Sequence, residues 1–279
     1  MPDPLDVPVA GGNLTVASWP GTGEPVLAVH GITSSSRTWP FLAAELDNPV
    51  LAPDLRGRGR SNQLPGPAGM GRHAEDCAAV IESAGSAPLL VVGHSMGGFV
   101  ATVLAATRPE LVRALVLVDG GLPFPPVDEA ATAAGLQPIK ARLRSTYTRE
   151  SYHDWFRNHP AFARDWTPEV EEYADYDLPD APGRPAADPD LVEEDQLDLM
   201  GGPAFAHAVE QPQPPRVFLH ASRGFADDPP GLYPQQAVDE HAARWPDLDV
   251  RHVPDVNHYT IVLSRRGAGA VAEAVRDLL

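Results

Sequence analysis

Residues Leu89–Val92 are apolar without a break, and Gly93-His94-Ser95-Met96-Gly97 follows at once. A short Leu/Val run bounded by proline and glycine reads as a strand buried on both faces. The pattern recurs at Pro25–Val29, Pro49–Ala52, Ala114–Val118 and Arg216–Ala221, with Leu14–Trp19 alternating and Asp249–Val253 strand-like. Between these runs, Gly71–Ser83, Phe99–Ala106, Gln235–Arg244 and Gly269–Leu279 carry apolar positions at helical spacing. Buried strands separated by amphipathic helices predict an α/β chain with a mostly parallel sheet flanked by helices. A length of 279 residues with 43% hydrophobic side chains supplies one large core.

The rhythm breaks after Leu122, where Pro123, Pro125 and Pro126 interrupt it. Up to Pro215 the pattern is mainly helical, with prolines and acidic clusters between the helices. The expected layout is a core of residues 1–121 and 216–279 with a helical insertion at 122–215. An insertion at one end of such a sheet is expected to lie over the carboxyl ends of the strands, where ligands bind. Aromatic side chains crowd this segment, and most are expected to form its own small core rather than a substrate wall.

The balance of 38 acidic against 21 basic side chains, a net charge of -17, argues against nucleic acid and anionic membranes as partners. The excess is concentrated in Asp165–Asp198, where Arg184 is the one base. Placed over a site, that charge predicts neutral or cationic substrates over multiply anionic ones. No apolar stretch reaches the roughly 18 residues of a membrane helix, and no signal-peptide pattern opens the chain. With a single cysteine, Cys77, no internal disulfide can form, so a cytoplasmic protein is expected. Cys77 has no partner at metal or redox spacing and the histidines are scattered, so no metal and no other cofactor is expected.

Gly93–Gly97 is G-x-S-x-G set between a strand and a helix, the context in which that motif has mechanical meaning. The turn forces Ser95 into strained dihedrals and lifts its hydroxyl above the sheet at a helix N-terminus. A hydroxyl needs a base to act as a nucleophile. Of the 10 histidines, His258 follows the last strand pattern and precedes the closing helix, on the same sheet edge as Ser95. His30 and His94 fall in tight turns and are expected to hold backbone. An oxyanion needs two converging N–H donors. Met96 supplies one, and Ile32, in the turn His30-Gly31-Ile32-Thr33 after a strand, supplies the other. Trp39, shortly downstream, is a candidate for the substrate pocket.

Taken together, His30-Gly31, Asp54-Leu-Arg-Gly-Arg-Gly-Arg-Ser61, Gly93–Gly97 and Asn257-His258 make the chain resemble α/β-hydrolase-fold serine hydrolases. The resemblance implies an eight-stranded, mostly parallel sheet, a helical lid at 122–215, and a triad in the order serine, acid, histidine. It implies a structural role for Asp54–Ser61. The family often places the acid just beyond the strand that is here Arg216–Ala221, yet the expected position falls near Gly224. Asp227 and Asp228 lie beyond it and are the alternative acids. Asp119, at the end of Ala114–Val118, resembles the acid of polyketide-type thioesterases, and we assign it to the triad with Ser95 and His258. The implied activity is cleavage of an ester, lactone or thioester of a small apolar molecule through an acyl-enzyme on Ser95. The alternatives are a cofactor-free haloperoxidase or perhydrolase with the same triad, and a non-catalytic ligand-binding relative.

Overall fold

The structure is a computed structural model that describes residues 2–124 and 129–279. Pro125 and Pro126 lie outside the described residues. Eight strands form one sheet: β1 (Asp3–Val9), β2 (Gly12–Trp19), β3 (Val26–Val29), β4 (Val50–Pro53), β5 (Leu89–His94), β6 (Val112–Val118), β7 (Arg216–Arg223) and β8 (Leu248–Asn257). Their order across the sheet is β1-β2-β4-β3-β5-β6-β7-β8. β2 pairs antiparallel with both β1 and β4, and every other pairing is parallel. The helices are α1 (Pro40–Glu45), α2 (Met70–Ala84), α3 (Met96–Thr107), α4 (Glu129–Arg144), α5 (Arg149–Asn158), α6 (Pro168–Asp177), α7 (Pro189–Gly201), α8 (Pro203–Ala208), α9 (Gln235–Arg244) and α10 (Arg265–Leu278). This is the α/β-hydrolase fold that the sequence predicts.

The period of two along each strand sorts the core into two layers. Leu27, Val29, Leu89, Val91, Leu115, Leu117 and Phe218 face one apolar cluster, shared with α2 and α3. Val26, Ala28, Leu90, Val92, Val116, Val118, Val217 and Leu219 face the other, shared with α10. Cys77 is fully buried in the first cluster, and burial pushes its thiol up. No helix among the described residues is long and apolar enough to cross a membrane.

The inserted segment carries α4–α8. Tyr152, Phe156, Phe162 and Tyr173 join the second cluster, with Phe156 5.2 Å from Phe162 between ring centroids. These aromatics pack on one another, as expected. The last helix, α8, behaves as core: its Phe205 ring lies 4.6 Å from Phe99 of α3.

Part of the acidic run faces the core, where Asp177 and Asp195 are buried. The N-cap of α2 is Gly69, which has no side chain with which to cap the helix. Acids from α7 do so from across the chain. The carboxylates of Asp195 and Asp198 accept from the Gly69 and Met70 N–H groups, each at 2.6 Å, and Glu194 accepts from Ala68 N–H at 3.1 Å. These are orphan donors at the positive end of a helix, where carboxylates are stabilising. Asp195 also meets Arg58 at 2.5 Å and His73 at 3.0 Å, all three fully buried. Within the insert, Asp177 and Asp190 take up Arg142 and Arg144. The charge concentrated in Asp165–Asp198 therefore serves architecture at these positions, which weakens the expectation that it selects substrates.

Burial works against ionising Asp195, but the nearby His73 and Arg58 and the hydrogen bonds from His73 and Gly69 outweigh it and hold the carboxyl well below the usual range. A depressed folded pKa gives stability that is present above the unfolded value and lost as pH falls through the folded one. Asp195→Asn is expected to cost about 3–5 kcal/mol, because it leaves the Arg58 charge buried without its partner. Urea unfolding against pH checks this: the gap between wild type and variant should be full above about pH 4 and close below it. A gap independent of pH down to the acid limit would show that Asp195 acts through shape alone.

Candidate active site

β3 and β5 are neighbours, and the chain leaves β3 for β4 on one side but returns to β5 on the other. The crevice beyond the carboxyl ends of such a strand pair is where open α/β sheets bind ligands. Gly31 follows β3 and Ser95 follows β5. A β-carbon built on Gly31 would stand 3.2 Å from Ser95 Cβ and 3.6 Å from its hydroxyl oxygen. Ser95 has φ 53° and ψ −123°, a conformation that costs energy for a residue with a side chain. Its N–H donates to Val118 O at 2.9 Å and its carbonyl accepts from Gly98 N–H at 2.9 Å. Three close backbone approaches lock the turn. β-carbons on Gly93, Gly97 and Gly120 would fall 2.3 Å from Gly97 O, 2.1 Å from Val29 O and 2.2 Å from Ser95 O.

Asp119 closes β6, fully buried and also at positive φ (48°). Its Oδ2 lies 2.7 Å from His258 Nδ1, and its Oδ1 accepts from Ala221 N–H at 3.1 Å. An imidazole that donates from Nδ1 to a carboxylate keeps Nε2 as the nitrogen able to take a proton. His94 Nε2 lies 2.8 Å from the His258 carbonyl oxygen, and the two rings are 4.8 Å apart. The residue next to Ser95 thus fixes the loop that carries His258. Burial holds the His94 imidazole well below its ordinary pKa, so His94 is neutral and Nε2 carries the proton that it donates.

The turn after β3 is clamped at two successive carbonyls. His30 Nδ1 donates to Gly31 O at 2.7 Å while Nε2 accepts from Leu55 N–H at 3.0 Å, a pattern that requires neutral imidazole. Burial holds its pKa down at about 3. Arg58 Nε donates to Ile32 O at 2.9 Å. The Gly31 carbonyl belongs to the peptide unit whose N–H is that of Ile32, so His30 orients that donor directly. Met96 opens α3, where the first N–H groups have no intrahelical acceptor.

A model of the alpha/beta hydrolase family matches residues 26–274. The chain belongs to the alpha/beta hydrolase family. Among its relatives, a lipase of Mycobacterium tuberculosis, LipV, is 46% identical over 34% of this chain and 36% of its own. An esterase of the same organism is 36% identical over 40% of this chain and 38% of its own. The matched stretch thus spans little more than a third of either relative. Solved structures agree along the whole chain. E-2-(acetamidomethylene)succinate hydrolase superposes with a TM-score of 0.83 at 22% identity, covering 99% of this chain and 100% of its own. An esterase from Thermogutta terrifontis gives 0.72 at 23% identity, covering 99% of each.

The remaining candidates of this alpha/beta hydrolase sit elsewhere. Asp227 lies in the loop after β7 and meets Arg223 at 2.7 Å, Arg164 at 2.6 Å and Asn257 at 2.9 Å. Burial opposes its charge, but the bonds from Asn257, Arg223 and Arg164 prevail and hold its carboxyl below the usual range. Asp228 is exposed, and its backbone carbonyl accepts from Gly224 N–H at 2.8 Å. Trp39, the candidate for the substrate pocket, is fully buried at the start of α1 within the second core cluster. Among the described residues, no three His, Cys, Asp or Glu side chains converge as a metal-binding group.

Two glycine variants separate crowding from clash. Gly97→Ala must push α3 off the Val29 carbonyl, and overpacking of this kind costs about 1–3 kcal/mol or more. Gly31→Ala meets only side chains, at ordinary or slightly tight distances. In thermal melts Gly97→Ala should lose several degrees while Gly31→Ala stays near wild type; equal losses would contradict the packing described.

Proposed function

We propose that the protein is a serine hydrolase that cleaves a carboxylic ester, or the chemically equivalent lactone or thioester, of a small apolar molecule. The observation that carries this reading is the buried 2.7 Å contact between His258 and Asp119 beside the strained Ser95 turn. A carboxylate fixed on Nδ1 orients the ring and stabilises the imidazolium, the arrangement that an acyl-transfer base needs. The esterase and lipase relatives support the same chemistry.

The steps follow from the groups present. Ser95 Oγ attacks the acyl carbon as its proton passes to His258 Nε2. The N–H groups of Ile32 and Met96 receive the negative charge that develops on the carbonyl oxygen. As the tetrahedral intermediate collapses, His258 gives its proton to the leaving oxygen or sulfur, and the acyl group remains on Ser95. Water, deprotonated by His258, then releases the acid. The partner is the small-molecule substrate, and the segment 122–215 acts as a lid above the site.

A fluorophosphonate probe is expected to modify Ser95 in the folded protein and to leave Ser95→Ala unlabelled. Asp119→Asn should lower kcat by about 10⁴ on one activated ester, the scale of losing the acid of such a triad. Asp227→Asn should leave kcat within a few-fold and lower thermal stability instead. Wild-type turnover in Asp119→Asn, or labelling that survives Ser95→Ala, would overturn the assignment.

A further inference from the structure

Phe225 is 52% exposed, yet its ring centroid lies 4.5 Å from that of His258 at an interplanar angle of 63°. The other exposed large apolar side chains among the described residues are Leu5 on the edge strand, Leu197 on α7 and Leu279 at the chain end. Phe225 alone of these stands against a site residue. Leaving a ring half in water forgoes burial energy. Its position is also fixed by more than its own packing. Asp227, two residues on, has φ 62° and binds Arg223 behind it, Arg164 of the insert and Asn257, the neighbour of His258. The Gly224 N–H to Asp228 carbonyl bond closes the loop beneath the ring. Asn257 ties the same point to the insert again by donating to Ala161 O at 3.0 Å. The ring is therefore presented at His258 by a braced loop. The aromatic surface continues through Tyr259, 6.0 Å from Phe225 and 5.1 Å from Phe162 of the insert.

We infer that Phe225 is a specificity-determining residue whose ring forms the wall for the leaving group, so that the site selects esters of aromatic or bulky apolar alcohols. The inference rests on the serine hydrolase reading above. In that chemistry the leaving oxygen must come within hydrogen-bonding reach of His258 to receive its proton. The alcohol portion therefore passes over the imidazole, and the apolar surface that meets it there is Phe225. A ring already held in place gives contact area with little ordering cost.

Three esters of similar intrinsic reactivity test this: methyl acetate, benzyl acetate and methyl phenylacetate. Phe225→Ala, at an exposed position, should keep wild-type thermal stability and wild-type fluorophosphonate labelling of Ser95. Its kcat/KM for benzyl acetate should fall about tenfold, the scale of one aromatic contact with its buried area. Methyl acetate and methyl phenylacetate should change less than about twofold, and Phe225→Leu should recover part of the loss. An equal fall for all three esters would mean that the ring serves His258 rather than substrate, and would overturn the inference. So would a fall confined to methyl phenylacetate, which would put the acyl group there, or no fall at all. Wild-type protein that neither takes the probe nor hydrolyses any ester overturns the hydrolase reading first and this inference with it; intact labelling with an unchanged ester profile in Phe225→Ala overturns the inference alone.

Discussion

The arrangement depends on one close approach of backbone to backbone. The first turn of α3 sits so near the end of β3 that a β-carbon on Gly97 would fall 2.1 Å from the Val29 carbonyl. That proximity exists because β3 and β5 are paired although β4 lies between them in the chain. It brings the Gly31 turn beside Ser95, the helix N-terminus behind Ser95, and the end of β6 against the Ser95 carbonyl at Gly120. The strain at Ser95 persists because glycines on three sides let the chain close around it. A looser turn would ease the backbone and draw Ser95 away from the Gly31 turn and the first turn of α3.

The insert and the core are joined by charge as much as by apolar contact. Three acids of α7 complete the N-terminus of α2, and one of them, Asp195, also meets Arg58. Arg58 in turn donates to the Ile32 carbonyl. A continuous chain of buried polar contacts thus runs from the inserted segment to the turn that carries the candidate oxyanion donor. Tyr176 of α6 adds a second tie, donating to buried Asp54 at 2.6 Å with the guanidinium groups of Arg37 and Arg60 over its ring. The insert cannot shift at these points without exposing or unpairing buried charge, which is costly. Its acidity is in good part the means of its attachment.

How much of this is legible in the sequence follows from the range of each interaction. The central strands are plain because burial on both faces demands unbroken apolar runs. β1 is not: Pro4 and Pro8 interrupt it and Val7 is its one buried residue, which an edge strand tolerates and an interior one does not. α1 is too short to show a period, and α10 begins at Arg265, four residues before the expected Gly269, because its first turn is polar and is marked by the Ser264 cap. Ser95 is readable from its own neighbours, and His258 and Asp119 from their places at strand ends. The clamps are not. Nothing in the spacing says that His30 turns back on the next carbonyl, that Arg58 reaches Ile32, or that Asn257 meets Asp227 thirty positions away. Those contacts join loops whose distance apart is set by the sheet order, and the sheet order is a property of the whole chain.

The position of Asp119 shows how one residue's place frees another. Both carboxylate oxygens of Asp119 are committed, one to His258 and one to the Ala221 amide, so the end of β6 and the end of β7 are held by the same side chain. Had the carboxylate that meets His258 come from the loop after β7, that loop would have to turn toward Nδ1. With Nδ1 already satisfied from β6, the loop folds outward and its aspartate binds arginines from two directions. What it then presents to His258 is an aromatic ring, Phe225, instead of a charge. An apolar ring thus lies against one side of the imidazole, while the Asp119 side is buried. The carboxylate that meets His258 from β6 and the ring that meets it from the loop after β7 are therefore two consequences of one arrangement.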